Sequence, residues 1–259
     1  LYDRRIVGQQ ISSETIKLSE VSDWNNVSVR MGEDYLLVFQ PYLNNSNFNT
    51  VYVYDKNNNY SVESLQIPPP LKGGAISPNN VIVIHTEQTV YIYTRVNGSW
   101  SVKQELDIPT YWSEAGESML HPILTGIDID VNNTIVTMDN KYVFVFMDDG
   151  NNTWSLSHYV LAQAYSGWNK VSIYDNTFIY SDTMGDVILD DGVNNPGIVH
   201  VYKYLNGSWN KLQTLYDSDP QEFEITGGEI KIHKNIIAVL TTSNASGERN
   251  GRVLIFKSS

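Results

Sequence analysis

The chain alternates short runs of β-branched and aromatic residues with turns rich in Asn, Gly and Asp. Strand-like units of this kind begin at residues 51, 90, 143, 199 and 253, so their starts are 39, 53, 56 and 54 residues apart. This spacing is typical of propeller blades. Within a unit both alternating positions are apolar, as in VYVY at 51–54. A strand with two apolar faces is expected in a sheet that packs between two other sheets.

The tetrapeptide NGSW occurs twice, at 97–100 and at 206–209. Asn and Gly tolerate the positive φ that both central residues of a two-residue type I′ hairpin require. Each NGSW therefore predicts the outer hairpin between the third and fourth strands of a blade, with the Trp on the returning strand. A large ring at this position is expected to cover apolar area between neighbouring blades.

Two more strand-like runs precede the third strand in the later units, for example KVSIYD and TFIYSD before the strand that begins at 199. Four strands per unit is the blade pattern. The last unit ends after its third strand, while RRIVGQQIS at 4–12 resembles the fourth-strand segment WSVKQELDI at 100–108. The sequence therefore predicts an all-β chain: a single β-propeller over residues 1–259, with five four-stranded blades and the last blade closed by the N-terminal strand. The segment 111–120 is predicted to form a short surface helix at most.

Composition narrows the classes of partner. The 259 residues are 41% hydrophobic, enough for a sizeable core. A net charge of -12 with only 17 Lys and Arg would repel nucleic-acid phosphates and anionic lipid, so neither is expected as a partner. The longest apolar runs, such as 142–146, are much shorter than the roughly 20 residues that a membrane span needs, so membrane insertion is not expected. With no cysteine, the chain has no disulfide or thiolate site.

Asn-x-Ser/Thr acceptors for N-glycosylation recur along the chain. There are eight, at Asn26, Asn44, Asn59, Asn97, Asn132, Asn151, Asn206 and Asn244. Three of them, Asn97, Asn151 and Asn206, fall at equivalent turns of the repeat. This regular placement favours glycosylation over chance in an Asn-rich chain, and it predicts an extracellular location, secreted or at the cell surface.

The order of segments resembles the FG-GAP type of β-propeller repeat, which is found in the heads of integrin α-chains and in secreted proteins. The segment 170–215, which ends in GIVHVYKYLNGSWNKLQTL, matches the order of that repeat best, and the segment 223–257 matches next best. The resemblance implies a propeller with a role in adhesion. The chain has no D-x-D-x-D-G loop, so the resemblance implies no calcium site and no cofactor.

Two acidic segments are candidates for a cation site. Asp128, Asp130 and Asn132 have the spacing of the first ligands of a D-x-D-x-N calcium loop. The flanking residues read instead as two strands joined by a turn, without a distal carboxylate. The second candidate is the loop at 182–191, which gathers Asp182, Asp186, Asp190 and Asp191. Acidic loops are usually solvated, and no metal site is assigned from either pattern.

No catalytic motif occurs in the sequence: it contains no G-x-S-x-G elbow, P-loop or H-E-x-x-H. The five histidines, His85, His121, His158, His200 and His233, never pair at metal-ligand spacing. His158 and His200 alternate with strand residues and are interpreted as packing or rim positions. No catalytic residue is therefore assigned, and the chain is not expected to be an enzyme.

Two functions from different classes fit these observations. The first is a non-enzymatic, secreted and N-glycosylated propeller with a structural or adhesive role, including that of a self-assembling fibre subunit. Its partner would be another copy of itself or an extracellular protein or glycan. The missing fourth strand of the last blade would come from the same chain or from a neighbour. The second is a lectin-like carbohydrate-binding module with a site repeated in each blade, for which the 17 Tyr and 6 Trp supply stacking surfaces.

Overall fold

The computed structural model describes residues 27–40, 49–112, 119–120, 123–139, 141–162, 169–183, 197–217, 224–243 and 250–257. Within these ranges every regular element is a β-strand, and no helix is long and apolar enough to cross a membrane. The strands form five successive antiparallel sheets arranged as a five-bladed β-propeller. The predicted all-β fold and its blade count are confirmed.

Each of the first four sheets has four strands in sequence order. Blade 1 contains β1 (Ser28–Met31), β2 (Tyr35–Gln40), β3 (Asn49–Asp55) and β4 (Ser61–Ile67). Blade 2 contains β5 (Gly73–Ile76), β6 (Ile82–His85), β7 (Thr89–Val96) and β8 (Ser99–Asp107). A separate pair, β9 (Tyr111–Trp112) and β10 (Met119–Leu120), follows blade 2.

The remaining blades continue this order. Blade 3 contains β11 (Gly126–Ile129), β12 (Ile135–Met138), β13 (Tyr142–Asp148) and β14 (Trp154–Leu161). Blade 4 contains β15 (Val171–Tyr174), β16 (Thr177–Asp182), β17 (Ile198–Leu205) and β18 (Ser208–Leu215). Blade 5 shows three strands, β19 (Glu224–His233), β20 (Ile236–Ser243) and β21 (Asn250–Lys257). The predicted closing strand at the N-terminus lies outside the described residues.

The short helix considered for 111–120 is wrong at both ends of that segment. Trp112 pairs with Met119 and Tyr111 with Leu120, as two antiparallel strands. Tyr and Trp are residues that favour strands, and pairing with a second short strand satisfies backbone groups that a short isolated helix would leave open.

The outer hairpins adopt the predicted turn. Asn97 and Gly98 have φ values of 51° and 88°, and Asn206 and Gly207 have 53° and 85°. Both central residues of each turn are therefore left-handed, as a type I′ hairpin requires. A Cβ on either glycine would meet no atom within 4 Å, so the backbone angle rather than a lack of space selects glycine here.

Apolar clusters between consecutive blades form the core. Four clusters each combine residues of two neighbours: blades 1 and 2, blades 2 and 3, blades 3 and 4, and blades 4 and 5. The third strands of blades 1 to 4 are buried on both faces over much of their length, whereas the fourth strands are largely exposed. The pattern of two apolar faces thus identified the strands that pack between sheets.

The hairpin Trp residues cover the interfaces between blades, as predicted. Trp100 of blade 2 lies in the cluster shared with blade 1, where its ring meets Tyr35 edge-on with centroids 5.2 Å apart. Trp154 of blade 3 lies in the cluster shared with blade 2. Trp209 of blade 4 lies in the cluster shared with blade 3 and also contacts Phe178 at 5.0 Å. Each ring therefore joins its own blade to the preceding one.

Replacing Trp209 by Ala is expected to lower the free energy of unfolding by about 3–5 kcal/mol, because it removes a large buried ring from the interface between blades 3 and 4. Urea unfolding followed by circular dichroism measures the loss. Leu212 lies on the same strand but is 51% exposed, so Leu212→Ala is the matched control and should cost less than about 1 kcal/mol. Equal losses for the two variants would contradict the packing role of the ring.

Candidate functional site

The inner strands of the five blades surround a central channel. Each inner strand contacts the next, β1 with β5, β5 with β11, β11 with β15 and β15 with β19. The channel has a volume of about 400 Å³, and residues from all five blades line it. It is therefore the one place described here where side chains from every blade can meet a single ligand.

The lining of the channel carries more positive than negative charge. Its cations are Arg30, Lys72, Lys170 and Lys231. Its carboxylates are Asp128 and Glu229. This excess is opposite in sign to the net charge of -12 of the whole chain. The channel is therefore a local region that favours anions on a protein that otherwise repels them.

Asp128 connects three blades at the channel wall. Its Oδ2 accepts hydrogen bonds from Ser172 Oγ at 2.8 Å and from the backbone N–H of Ile173 at 3.1 Å, and it lies 2.6 Å from Lys231 Nζ. Ser172 Oγ in turn accepts from the backbone N–H of Ile232 at 3.3 Å. These contacts join blades 3, 4 and 5, so this buried carboxylate has a structural role in holding the inner strands together.

The other residues of the D-x-D-x-N pattern do not join Asp128 at a common point. Asp130 Oδ1 accepts from the backbone N–H groups of Asn132 at 2.9 Å and Thr134 at 2.8 Å, which closes the turn between β11 and β12. The Asn132 side chain donates to Asp175. Burial raises the pKa of Asp130 to about 6, and its two backbone hydrogen bonds oppose that shift. The residues serve a turn and a blade junction rather than one cation.

The structure assembles no metal-binding cluster in the ranges that it describes. Asp182, the first residue of the second acidic candidate, is buried at the end of β16. The other three members, Asp186, Asp190 and Asp191, lie outside the described residues. The acidic loop at 182–191 therefore stays a candidate cation site that rests on the sequence alone.

His85 points into the channel from the second strand of blade 2 and is only 2% exposed. Its Nδ1 lies 3.2 Å from the carbonyl oxygen of Thr86. A carbonyl can only accept, so Nδ1 carries the proton and Nε2 is an acceptor. A Cβ built on Gly73 would lie 3.2 Å from Nε2, which places this nitrogen beside the start of β5.

The surroundings of His85 keep its ring neutral. Burial lowers its pKa to about 4, the hydrogen bond to Thr86 acts in the opposite direction, and the charges of Lys170 and Lys72 lower it further. At neutral pH the ring therefore presents an uncharged acceptor nitrogen to the channel. Both lysines also lie close enough to His85 to affect its charge.

His200 and His158 occupy the packing positions that the sequence suggested. His200 is buried, packs against Tyr180 with ring centroids 4.7 Å apart, and lies 3.2 Å through Nδ1 from Thr214 Oγ1. His158 is half-buried on β14. His233 is exposed at the end of β19 and meets the ring of Tyr174 edge-on. His121 lies outside the described residues.

Four of the eight sequon asparagines lie on the outer hairpins of blades 1 to 4, one on each blade. They are Asn59, Asn97, Asn151 and Asn206, and all four are exposed. Asn132 is also exposed but lies on the inner hairpin between β11 and β12. The remaining three, Asn26, Asn44 and Asn244, lie outside the described residues. The equivalence noted for three turns thus extends to a fourth, at Asn59.

The sequence interpretation missed the channel residues Lys72, His85, Lys170 and Lys231. The sequence carries a signal for the three lysines, because Lys72 and Lys170 directly precede the runs GGAI at 73–76 and VSIY at 171–174, and Lys231 lies within EIKI at 229–232. Aligning these strands by their turns would have marked the positions that face the axis. The charges at these positions differ from blade to blade, so they do not resemble a repeated motif.

No protein-family model matches the chain, and no curated protein matches its sequence. Its fold is similar to the β-propeller domain of the Trilobed protease from Pyrococcus furiosus, with 8% identity, coverage of 89% of this chain and 84% of that chain, and a TM-score of 0.48. It is also similar to apo AztD from Citrobacter koseri, with 11% identity, coverage of 90% and 60%, and a TM-score of 0.48.

A third similar structure is the WD40 domain of SCAP from fission yeast, with 11% identity, coverage of 88% of this chain and 73% of that chain, and a TM-score of 0.42. These similarities concern the fold alone. The chain is a β-propeller by its own five sheets and the order in which they pack.

Stability should fall as the pH decreases from about 6.5 to 4, in part because of His200. Burial, and secondarily the charge of Lys211, lower its folded pKa to about 4 from an ordinary value of about 6.5. In that window the unfolded chain binds the extra proton, so this residue contributes a loss on the order of 3 kcal/mol. His200→Gln should reduce the pH dependence of the unfolding free energy, measured in urea.

Thr214→Val is the matched control for that measurement, because it removes the neighbouring hydroxyl and keeps the titrating ring. It should lower stability at every pH and leave the slope close to that of the unmodified protein. An unchanged slope in His200→Gln would contradict the lowered pKa, because it would show that this imidazole binds its proton at the same pH in the folded and unfolded chain.

Proposed function

We propose that this chain is a non-enzymatic, secreted and N-glycosylated β-propeller with a structural or adhesive extracellular role, and that it assembles with copies of itself through the edge of its last blade. The single observation that carries the proposal is the pairing of β21. It pairs with β20, and no other strand among the described residues lies on its other side.

The edge strand also displays apolar side chains. Val253 is 61% exposed and Ile255 is 54% exposed, whereas Leu254 and Phe256, on the opposite face, pack against the cluster shared with blade 4. A strand with exposed β-branched residues and no described neighbour on one side is a template for another strand. A strand added to β21 would complete the four-strand pattern of the other blades.

Blade 1 has an apolar surface on its face away from blade 2. This cluster consists of Val38 and Tyr54, with Leu36, Tyr52 and Tyr60 packed against them. In the part of the chain that the structure describes, no residue of blade 5 belongs to this cluster. The seam between blades 5 and 1 therefore differs from the four interfaces that share an apolar cluster.

The segment at 4–12 is the candidate for the added strand, because its sequence resembles the fourth-strand segment at 100–108. If the strand of one molecule pairs with β21 of the next, the contact is heterologous, and repetition of the contact builds a fibre unless it closes into a ring. The alternative is closure within one molecule. The proposal favours pairing between copies because a structural or adhesive role needs a contact that can propagate.

Glycans would restrict where such contacts form. Four exposed sequon asparagines lie on the outer hairpins of blades 1 to 4, around the circumference of the propeller, and Asn132 lies on an inner hairpin. Sugars at these points would cover the circumference and leave the seam accessible. The resemblance to FG-GAP repeats supports the same proposal, since that family includes adhesive extracellular propellers.

The lectin alternative receives less support. In the described blades the rings of Trp100, Trp154 and Trp209 are buried between sheets, so they do not offer the exposed stacking surfaces that a sugar site repeated in each blade would use.

Assembly is tested by size-exclusion chromatography with light scattering and by negative-stain microscopy of the full chain and of a chain that lacks residues 1–12. The full chain is expected to form oligomers or filaments that grow with concentration, and the truncated chain should stay monomeric and folded. A monomeric full chain that loses its fold on truncation would contradict assembly and would show that the strand closes its own propeller.

Point variants give a matched comparison. The double variant Ile6→Asp and Val7→Asp places two charges on the apolar part of the donated segment and should abolish oligomers. The double variant Ser12→Asp and Ser13→Asp adds the same charge at polar positions and should leave assembly within about twofold of the unmodified chain.

Glycosylation is tested by expression in the secretory pathway of eukaryotic cells and intact-mass analysis before and after enzymatic removal of N-glycans. Asn206→Gln should lower the mass by one glycan, because Asn206 is exposed at a hairpin tip. Asn210→Gln changes a nearby exposed asparagine that is not in a sequon and should leave the glycan mass unchanged. Secreted protein that carries no glycan would overturn this part of the proposal.

A further inference from the structure

We propose that the central channel binds a small hydroxylated monoanion, such as a sugar carboxylate, at a site formed by Lys72, His85 and Lys170. This inference does not rest on the proposed assembly, because Lys72, His85 and Lys170 lie neither in a sequon nor on the seam strand β21. Val253 of β21 is also part of the channel lining.

The two lysines lie at corresponding places in the propeller. Lys72 directly precedes β5 and Lys170 directly precedes β15, and both line the channel. The backbone N–H of Lys72 donates to the carbonyl oxygen of His85 at 3.0 Å, and Lys170 lines the same channel. Two cationic residues in the lining of one cavity favour a ligand with negative charge.

The lysines have capacity to bind such a ligand. Lys170 makes no ion pair with any described residue, and Arg30, another cation of the lining, only donates to the carbonyl oxygen of Val29. Lys72 pairs with Glu87 at 3.0 Å, but both side chains are about 40% exposed. An exposed pair of this kind contributes little and exchanges easily with a competing anion.

His85 favours a ligand that carries a hydroxyl group. Its Nδ1–H donates to the carbonyl oxygen of Thr86, and its Nε2 lies at the channel wall without a hydrogen-bond partner among the described residues. An acceptor at the wall of a cavity is satisfied by a donor from the ligand or by water. A bare oxyanion cannot donate a hydrogen bond, so a ligand that satisfies both the lysines and His85 needs an anionic group and a hydroxyl.

The space suits a ligand of monosaccharide size. The channel volume of about 400 Å³ lies in the lower part of the range of roughly 300–1,000 Å³ that is usual for small-molecule sites. Gly73 and Gly126, which have no side chains, are part of the channel lining. Any side chain at Gly73 would press against Nε2 of His85, so glycine keeps that nitrogen accessible.

The carboxylates of the lining limit the charge of the ligand. Asp128 is bound by Lys231 and Ser172, so it neither competes for Lys72 and Lys170 nor leaves Lys231 free for the ligand. Glu229 also lines the channel and adds a negative charge of its own. Together with the partial pairing of Lys72, this favours one negative charge on the ligand over two.

Isothermal titration calorimetry tests the site on the full chain with four probes: glucuronate, glucose, acetate and sulfate. Glucuronate should bind saturably with one site per chain and at least tenfold more tightly than any of the other three. Equal binding of glucose would overturn the role of the lysines. Equal binding of acetate would overturn the hydroxyl contact to His85, and tighter binding of sulfate, a dianion without a hydroxyl group, would overturn the preference for a hydroxylated monoanion.

Variants locate the site. Lys170→Gln and Lys72→Gln should each weaken glucuronate binding about tenfold, and Lys103→Gln, at an exposed position on β8 outside the channel, should leave it unchanged. Circular dichroism melting checks the fold of each variant, and the two lysine variants test the site independently if one of them fails to fold. Unchanged binding in a folded Lys170→Gln or Lys72→Gln would overturn the proposal.

Discussion

The packing of apolar sheet faces between consecutive blades is the constraint on which the rest of this structure depends. A blade of three or four short strands cannot bury enough apolar surface alone. Blades 2, 3 and 4 each gain two neighbours by stacking around an axis. The third strands, apolar on both faces, make this stacking possible. The Trp residues of the hairpins extend the interfaces outward, where the exposed fourth strands contribute little. The Asn-Gly hairpin turns, the Trp rings and the repeat period of the blades all follow from the packing of each blade against the next.

Stacking around an axis brings the inner strands together and creates the channel. Polar groups that face it must be satisfied by one another, by solvent or by a ligand. Asp128 shows the first solution, since its carboxylate receives donors from blades 4 and 5 as well as a charged partner. His85 shows the other two solutions. Its Nδ1–H donates to the carbonyl oxygen of Thr86, and its Nε2, which has no donor among the described residues, lies at the channel wall.

The sequence predicted what local chemistry determines. The third strands, the Asn-Gly hairpins and the interface role of Trp100 and Trp209 all follow from residues close together in the chain. The channel could not be predicted in this way, because its charges come from five blades and recur at no fixed spacing. Asp128 and Asp130 illustrate the difficulty: two residues apart, they suggested joint cation binding, yet one joins blades and the other closes a turn. Only the placement of β15 beside β11, and the contact of Lys231 from β19 with Asp128, separates these roles.

The seam between blades 5 and 1 has a consequence for how the molecule unfolds. Four shared apolar clusters join five blades within the described residues, so the coupling resembles that of a linear array of repeats. In such an array the free energy of opening is smallest at the units with one packed neighbour and largest in the middle. Blades 2, 3 and 4 would then form the slowest-exchanging unit to amide hydrogen exchange, and cooperativity would spread from that centre toward both ends. Any strand that pairs across the seam between blades 5 and 1 would therefore slow the unfolding of the whole propeller.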